Sequence, residues 1–291
     1  MKQLFFIAAI AVSVSGAAQK VTNKLTFPKG QKLEVSTQVN SVVSQEAMGQ
    51  TFDMTMKANI VRLLDIEDAT ANSATIEHKV KRIQVDVDIP MMGSKTFDSE
   101  KEADLKGEGG KAFEKALKNK YKMTVDANGK VTAVKADDNN PDKAEKGSEE
   151  DMMSTMADQL GLGLSTPTVG EASEFAILPN REVSKGESWS DSTSTNDEKV
   201  KTTYTVSDIT DGEIIVNFTA TGNAKIKQEN MGMEVTVNKT DNATGKIVLD
   251  RKTGLLKTRT ETVETTGTTE VMGQSMPLKG KTTKTTVVKA A

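Results

Sequence analysis

Apolar and polar residues alternate with a period of two along much of the chain. Leu33, Val35, Thr37, Val39, Ser41 and Val43 fall on one face, and Glu34, Ser36, Gln38 and Asn40 on the other. Phe52, Met54, Met56, Ala58 and Ile60 repeat the pattern against Asp53, Thr55, Lys57 and Asn59. Successive strand side chains point to opposite faces, so this spacing predicts half-buried antiparallel strands. Ala74, Ile76, His78 and Val80 continue the series. The apolar set then becomes Ile83, Val85, Val87 and Ile89. A slip of one residue turns every side chain over, so the phase change predicts a β-bulge near Lys81-Arg82.

Further strands are marked by Tyr121, Met123 and Val125, and by Val131 and Ala133. Asp126-Ala127-Asn128-Gly129 between them is a hairpin signal, because Asn-Gly accepts the positive φ of tight turns. In the second half Val200, Tyr204 and Val206 form one strand. Ile214, Val216, Phe218 and Ala220 follow an Asp211-Gly212 turn. Met233, Val235 and Val237 lead to an expected turn at Asp241, and Ile247 and Leu249 to one at Lys252-Thr253-Gly254. The Thr-rich tail with sparse Val suits long exposed strands. Two helices are expected. Ala112–Leu117 is short, and the Gly107-Glu108-Gly109-Gly110 run before it reads as a turn. Glu149–Leu160 has Ser148 as its cap, acids in its first turn and Gly161 as its stop. The expected fold is mainly β: long antiparallel strands in two similar halves, forming curved sheets or half-barrels, with one or two short helices. The segments are 1–18 (a targeting segment), 19–136 (an N-terminal β-rich half), 137–170 (an acidic linker and a Met-rich helix) and 171–291 (a C-terminal β-rich half).

Methionine placement is the unusual feature. Met48-Gly49, Met92-Gly93, Met231-Gly232 and Met272-Gly273 each lie between two strand-like runs, where hairpin tips are normally polar. One reading folds these Met back over the end of a sheet. The other gathers them at one rim as an adaptable apolar surface. Met152, Met153 and Met156 make a stripe with Leu160 on the second helix, read first as core packing. With Trp189, the sole Trp, these Met are the candidate ligand-binding residues. Trp189 is either a structural anchor or a stacking platform.

Composition then narrows the function. The 291 residues carry no Cys, one His and a net charge of −3. No thiol nucleophile, disulfide framework or multi-His metal site can be built. An acidic chain gains nothing from counterion release, which argues against nucleic acid. Lys2, the apolar run Leu4–Val14 and the small residues Ser15-Gly16-Ala17-Ala18 have the layout of a signal peptide. Cleavage is expected after Ala18, with Ala17 second. Export follows as an expectation: a periplasmic or extracellular chain, soluble once cleaved, with no integral membrane segment in the mature part. A transmembrane barrel would need aromatic girdles, and only 4% of residues are aromatic.

Short motifs run through most of the mature chain. They are Lys29-Gly30-Gln31, Phe97-Asp98-Ser99, Tyr121-Lys122-Met123-Thr124-Val125-Asp126 with Gly129-Lys130-Val131, and Leu178-Pro179 with Val183, Gly186 and Ser188-Trp189. In these the chain resembles a set of exported bacterial envelope proteins of unknown function that often carry a signal peptide or lipobox. The resemblance implies architecture and compartment and transfers no activity. It departs in lacking a lipobox Cys. Long antiparallel strands with one helix also resemble, at the level of fold alone, half-barrel lipoprotein carriers.

Catalytic equipment is sparse. His78 shares a strand face with Ile76 and Val80, and no Gly-x-Ser-x-Gly elbow accompanies it. Asp191–Glu198, and Asp137-Asp138 with Asp142, cluster oxygen ligands without the spacing of a calcium loop. Asp191-Ser192-Thr193 is a weak O-glycosylation signal, and Asn217, Asn238 and Asn242 open Asn-x-Thr triplets. No catalytic, cofactor or metal residue is assigned. The expectation is a non-catalytic envelope protein with a binding or structural role, whose partner is an apolar small molecule, a lipid or another envelope protein. The alternatives are a carrier of an apolar ligand or lipid in a concave sheet, and a hydrolase using scattered carboxylates.

Overall fold

The structure is a computed structural model. It describes residues 19–47, 49–90, 93–137, 160, 162–195, 197–230 and 233–291. The strands of the first half are β1 (Lys20–Val21), β2 (Lys32–Ala47), β3 (Gln50–Ala69), β4 (Ser73–Ile89), β5 (Gly93–Asp98), β6 (Lys120–Asp126) and β7 (Val131–Ala136). Those of the second are β8 (Val183–Ser184), β9 (Ser188–Ser194), β10 (Glu198–Ile209), β11 (Glu213–Asn230), β12 (Met233–Asp250), β13 (Leu256–Val271) and β14 (Gln274–Ala290). Helices α1 (Glu102–Lys106) and α2 (Glu108–Lys118) lie between β5 and β6.

Twelve strands form one antiparallel sheet in the order β7-β6-β4-β3-β2-β14-β13-β12-β11-β10-β9, with β5 added to β4. The seam between the halves is β14 on β2, where Lys284 lies opposite Val39 and Ala290 opposite Leu33. The edges β7 and β9 do not pair with each other, so the sheet stays open. The predicted bulge is present. Val61 pairs with Arg82 and Arg62 with Val80, which leaves Lys81 as the extra residue. It restores the inward phase, so His78 and Val80 below it and Ile83 and Val85 above it share one face.

That face is concave. One buried cluster joins Val125 and Val131 near one edge of the sheet to Val206 and Ile209 near the other. Strands so far apart can share a core only if the sheet curls around what lies between them. What lies between is a plug made by the N-terminal arm and the segment before β9, which pair as β1 and β8. Phe27 of the arm meets Phe175 edge to face at 5.4 Å, and Phe175 is fully buried. The Leu25 N–H donates to the Ala127 carbonyl and the Thr26 N–H to the Thr253 carbonyl, both at 2.8 Å. Two adjacent residues thus tie the β6–β7 turn to the β12–β13 turn. Each large apolar side chain buried here contributes about 1.5–3 kcal/mol, so the plug both closes this end and holds the curl.

A second cluster covers the inner face of β2–β5. Phe113 of α2 stacks on Phe97 with ring centroids 4.9 Å apart, and Leu162 and Leu164 lie beside it. The expected short helix is therefore longer than its apolar core suggested. Gly109 and Gly110, read as a turn, are inside α2. A Cβ on Gly110 would meet the backbone of Leu105, so Gly110 allows α2 to start tight against α1. The expected turn at Asp241 is also corrected. β12 runs through it, with Asp241 opposite Gly222 and Thr265. The predicted turns at Asn128-Gly129, Asp211-Gly212 and Lys252–Gly254 do close hairpins. The targeting segment lies outside the described residues, as does the helix expected over Glu149–Leu160 except for Leu160 itself.

Candidate ligand-binding face

Register alone decides what points inward. Pairing carries the inner phase of β2 (Leu33, Val35, Thr37, Val39, Ser41, Val43) across β14, β13, β12 and β11, with one register shift at Val248–Leu249 at the plugged end. Read from the plugged end to the open end, this inner face has three zones.

The lowest zone is the plug core. The aromatic residues of the second half edge it. Trp189, on β9, stacks on Tyr204 at 5.3 Å, and Tyr204 leans on Phe218 at 6.1 Å. The Arg259 guanidinium lies over the Phe218 ring at 4.7 Å, a cation–π contact. Trp189 is half-buried as the last ring of this ladder.

The middle zone is ionic. Glu261 of β13 accepts from Arg259 at 2.7 Å and pairs with Lys284 of β14 at 2.8 Å. Burial raises the Glu261 pKa, but Lys284 and Arg259 outweigh it and hold the carboxyl below its usual range. Asp241 of β12 accepts from Lys239 at 2.7 Å and from the Thr265 hydroxyl at 2.5 Å. Thr37–Thr286 and Ser41–Thr282 hydroxyl pairs continue this belt across the seam. The residues around it are small: Ala220, Ala224 and Ala243, with Gly222, Gly267 and Gly280. Glycine inside a strand often marks a place where something approaches the sheet closely.

The upper zone is apolar. Ile226, Val235 and Val237 occupy it on β11 and β12, Val271, Met276 and Leu278 on β13 and β14, and Val43 and Met54 on β2 and β3. All are half-buried, neither packed away like the plug core nor fully exposed. From Thr265 to Val271 is six residues, or about 20 Å of strand at ~3.3 Å per residue.

Beside the plug lies a buried polar cluster that the sequence does not reveal as such. Arg62 of β3 makes two bonds to Glu174 of the plug segment, Nη1 at 3.2 Å and Nη2 at 2.7 Å. His78, next to it on β4, stacks on Tyr121 at 4.4 Å and is fully buried. Neither ring nitrogen of His78 has a hydrogen-bond partner, nor does Arg62 Nε. Burial, helped by the Arg62 charge, lowers the His78 pKa to about 3. Burial likewise pushes the Tyr121 hydroxyl above its ordinary value. His78 is a neutral core residue.

The other candidates divide as follows. Met272 is exposed (81%) at the β13–β14 turn. Met48, Met92, Met152, Met153, Met156 and Met231 lie outside the described residues. Among the described residues no three His, Asp or Glu groups converge as a metal would need. No described helix is long and apolar enough to cross a membrane. Glu261 and Asp241 face the concave side, as a hydrolase would want, and so do Asp191 (opposite Thr202) and Glu198 (opposite Ala224) nearer the β9 edge. Glu261 and Asp241 are already engaged by cations, and Glu261 is shifted down, opposite to a proton donor.

An open, curled antiparallel sheet with one end plugged and its inner face graded from ionic to apolar defines a half-barrel class of protein. The chain belongs to DUF6263, a family of unknown function, whose model matches residues 71–256. No curated protein matches it. Among solved structures it is similar to lipovitellin, from a study titled "Lipid-protein interactions in lipovitellin". The TM-score is 0.50 and the identity 10%, over 91% of this chain and 26% of that one. The chain thus spans about a quarter of the lipovitellin chain, and at this identity the likeness is one of fold. A COG4313 outer membrane channel from Pseudomonas putida F1 aligns at a TM-score of 0.23 and 8% identity, over 92% of this chain and 98% of that one.

Proposed function

We propose that the protein is a non-catalytic envelope carrier that holds a lipid acyl chain against the upper concave face. The carrying observation is the zone of half-buried apolar side chains running from the ionic belt to the open rim. Apolar side chains on an inward sheet face are ordinarily sealed by packing, as at the plug. Here they line the mouth of a curled sheet, where a ligand with its own apolar surface would bury them. The length fits. The zone is about 20 Å long, and one leaflet of a bilayer's hydrocarbon core is roughly 15 Å. The fold likeness to lipovitellin, titled for its lipid–protein interactions, supports the same reading by analogy.

The test is native mass spectrometry of protein purified without detergent, together with titration by a fluorescent fatty acid. The expected result is a retained lipid mass or saturable probe binding. Leu278→Glu with Val237→Glu should weaken that binding tenfold or more, about 1.4 kcal/mol, with little change in the urea midpoint. Bare polypeptide mass and no saturable binding would refute the carrier reading.

A further inference from the structure

The two ends of the sheet carry opposite chemistry. At the plugged end the turns are polar or charged: Thr70–Ser73, Asp126–Lys130, Thr210–Glu213 and Asp250–Gly254. At the open end the hairpins β2–β3, β4–β5, β11–β12 and β13–β14 close. Their last rungs are Ala47 opposite Gln50, Ile89 opposite Gly93, Asn230 opposite Met233 and Val271 opposite Gln274. None carries a charge. One rung further in, each hairpin has an acid: Glu46, Asp88, Glu229 with Glu234, and Glu270. The open rim is therefore an uncharged edge above a collar of carboxylates.

Met272 stands at this edge. Its φ of 51° and that of Gly273, 79°, place a two-residue turn in the left-handed region. Asn, Asp and Gly adopt that conformation with least cost. Met272 is the one non-glycine residue with positive φ among the described residues, and its side chain is 81% exposed. Packing over the sheet end, the first reading of the tip Met, does not occur here. An apolar side chain is held out to solvent by a backbone that suits it poorly.

We propose that this rim docks on the surface of a zwitterionic lipid bilayer, with Met272 entering the interface and the acid collar staying at headgroup level. A bilayer fits better than a protein for a geometric reason. Neighbouring hairpin tips are two strand spacings apart, about 10 Å, so Met272 stands as a separated apolar point on the rim. A protein interface needs a contiguous apolar centre, whereas fluid lipid can close around such a point. The collar sets the headgroup preference, because its carboxylates repel anionic lipid. The inference rests on the acyl-chain reading only for what the rim collects. Docking itself is measured separately.

The experiment is flotation of the full chain with phosphatidylcholine vesicles, alone and with added phosphatidylglycerol, for the wild type and Met272→Asn. Asn suits the left-handed turn, so the variant should melt at the same temperature or higher. Its flotation should fall about fivefold or more, on the scale of losing one buried Met side chain. Phosphatidylglycerol should weaken wild-type flotation, and salt should restore it. Equal flotation of the two proteins, no flotation of the wild type, or tighter binding to phosphatidylglycerol would each overturn the inference. Met272-dependent cross-linking to a protein without flotation would assign the rim to a protein partner and overturn it as well. Met272-dependent flotation with no fatty-acid binding from solution would sink the acyl-chain reading and leave docking standing.

Discussion

Replacing His78 by leucine should stabilise the protein, and by an amount that depends on pH. His78 is fully buried, with both ring nitrogens unpaired. A buried polar group without a partner costs about 1–3 kcal/mol. Leucine is close in volume and removes that cost, but it gives up the Tyr121 stacking, worth about 0.5–1.5 kcal/mol. The net gain near pH 7 is therefore about 1 kcal/mol. Acid separates the two proteins further. The folded-state pKa is lowered from 6.5 to about 3 by burial and by Arg62. Between those values the unfolded chain binds the proton and the folded chain does not, so wild-type stability falls as pH falls. The slope is about 1.4 kcal/mol per pH unit. From pH 6.5 down to about 4.5 the wild type loses roughly 2 kcal/mol through this one group, and His78→Leu loses none of it. The other groups facing the ring, Arg62, Glu174 and Tyr121, are common to both proteins. Urea titrations followed by circular dichroism at the two pH values measure the gap. If the gap between variant and wild type is the same at both, His78 is not a buried neutral imidazole and the reasoning fails.

Phe175→Ala should cost about 3–5 kcal/mol, because Phe175 is the fully buried centre of the plug and the partner of Phe27; a urea midpoint shift implying less than about 1 kcal/mol would mean that the plug does not hold the curl. Glu261→Gln leaves Lys284 and Arg259 without their shared carboxylate. Breaking a buried pair costs about 3–5 kcal/mol, so the variant's urea midpoint at neutral pH should drop clearly. The folded-state Glu261 pKa is held below its unfolded value of 4.5, so this contribution is present above that value and is lost as pH falls through the folded one. The gap between variant and wild type should therefore be clear in melts at neutral pH and should close in melts at acid pH.

Faces were legible in the sequence and neighbours were not. Period-two alternation states which residues share a side, and the slip after Val80 located the bulge at Lys81 because a phase error has one cheap remedy. Asn128-Gly129 was legible for a similar reason: few residue pairs accept that turn. Asp241 misled because an isolated Asp between strand-like runs resembles a turn. Its partners, the neutralising Lys239 and the hydrogen-bonding Thr265, become evident only when register puts all three on one face. The Gly109-Gly110 step misled because glycine was read by propensity, while close packing of Gly110 against Leu105 decided the matter. The Arg62–Glu174 pair spans 112 residues of chain and a plug that has no periodic signature. Nothing local announces it.

The candidate site was half legible for the same reason. The Met-Gly steps stood out as apolar residues where turns are polar, yet their shared location needs the strand directions. In an antiparallel meander every second turn falls at the same end, so alternate hairpins must share a rim once the order β3-β2-β14-β13-β12-β11 is established. That arithmetic separates two tasks along one sheet. Turns at the plugged end are polar, tied to one another by Leu25 and Thr26, and serve the fold. The four turns at the open rim, β2–β3, β4–β5, β11–β12 and β13–β14, are uncharged at their last rung, whereas the β9–β10 hairpin, which closes toward the same end but six residues lower, ends on Lys199 opposite Ser194. The rim turns include Met272 in a conformation that a more stable sequence would give to Asn or Gly. A residue that is costly for the backbone and contributes no packing is not explained by folding. Its explanation must lie with whatever meets the rim, and for that reason Met272→Asn, which should separate stability from docking, is the more informative substitution than any change in the core.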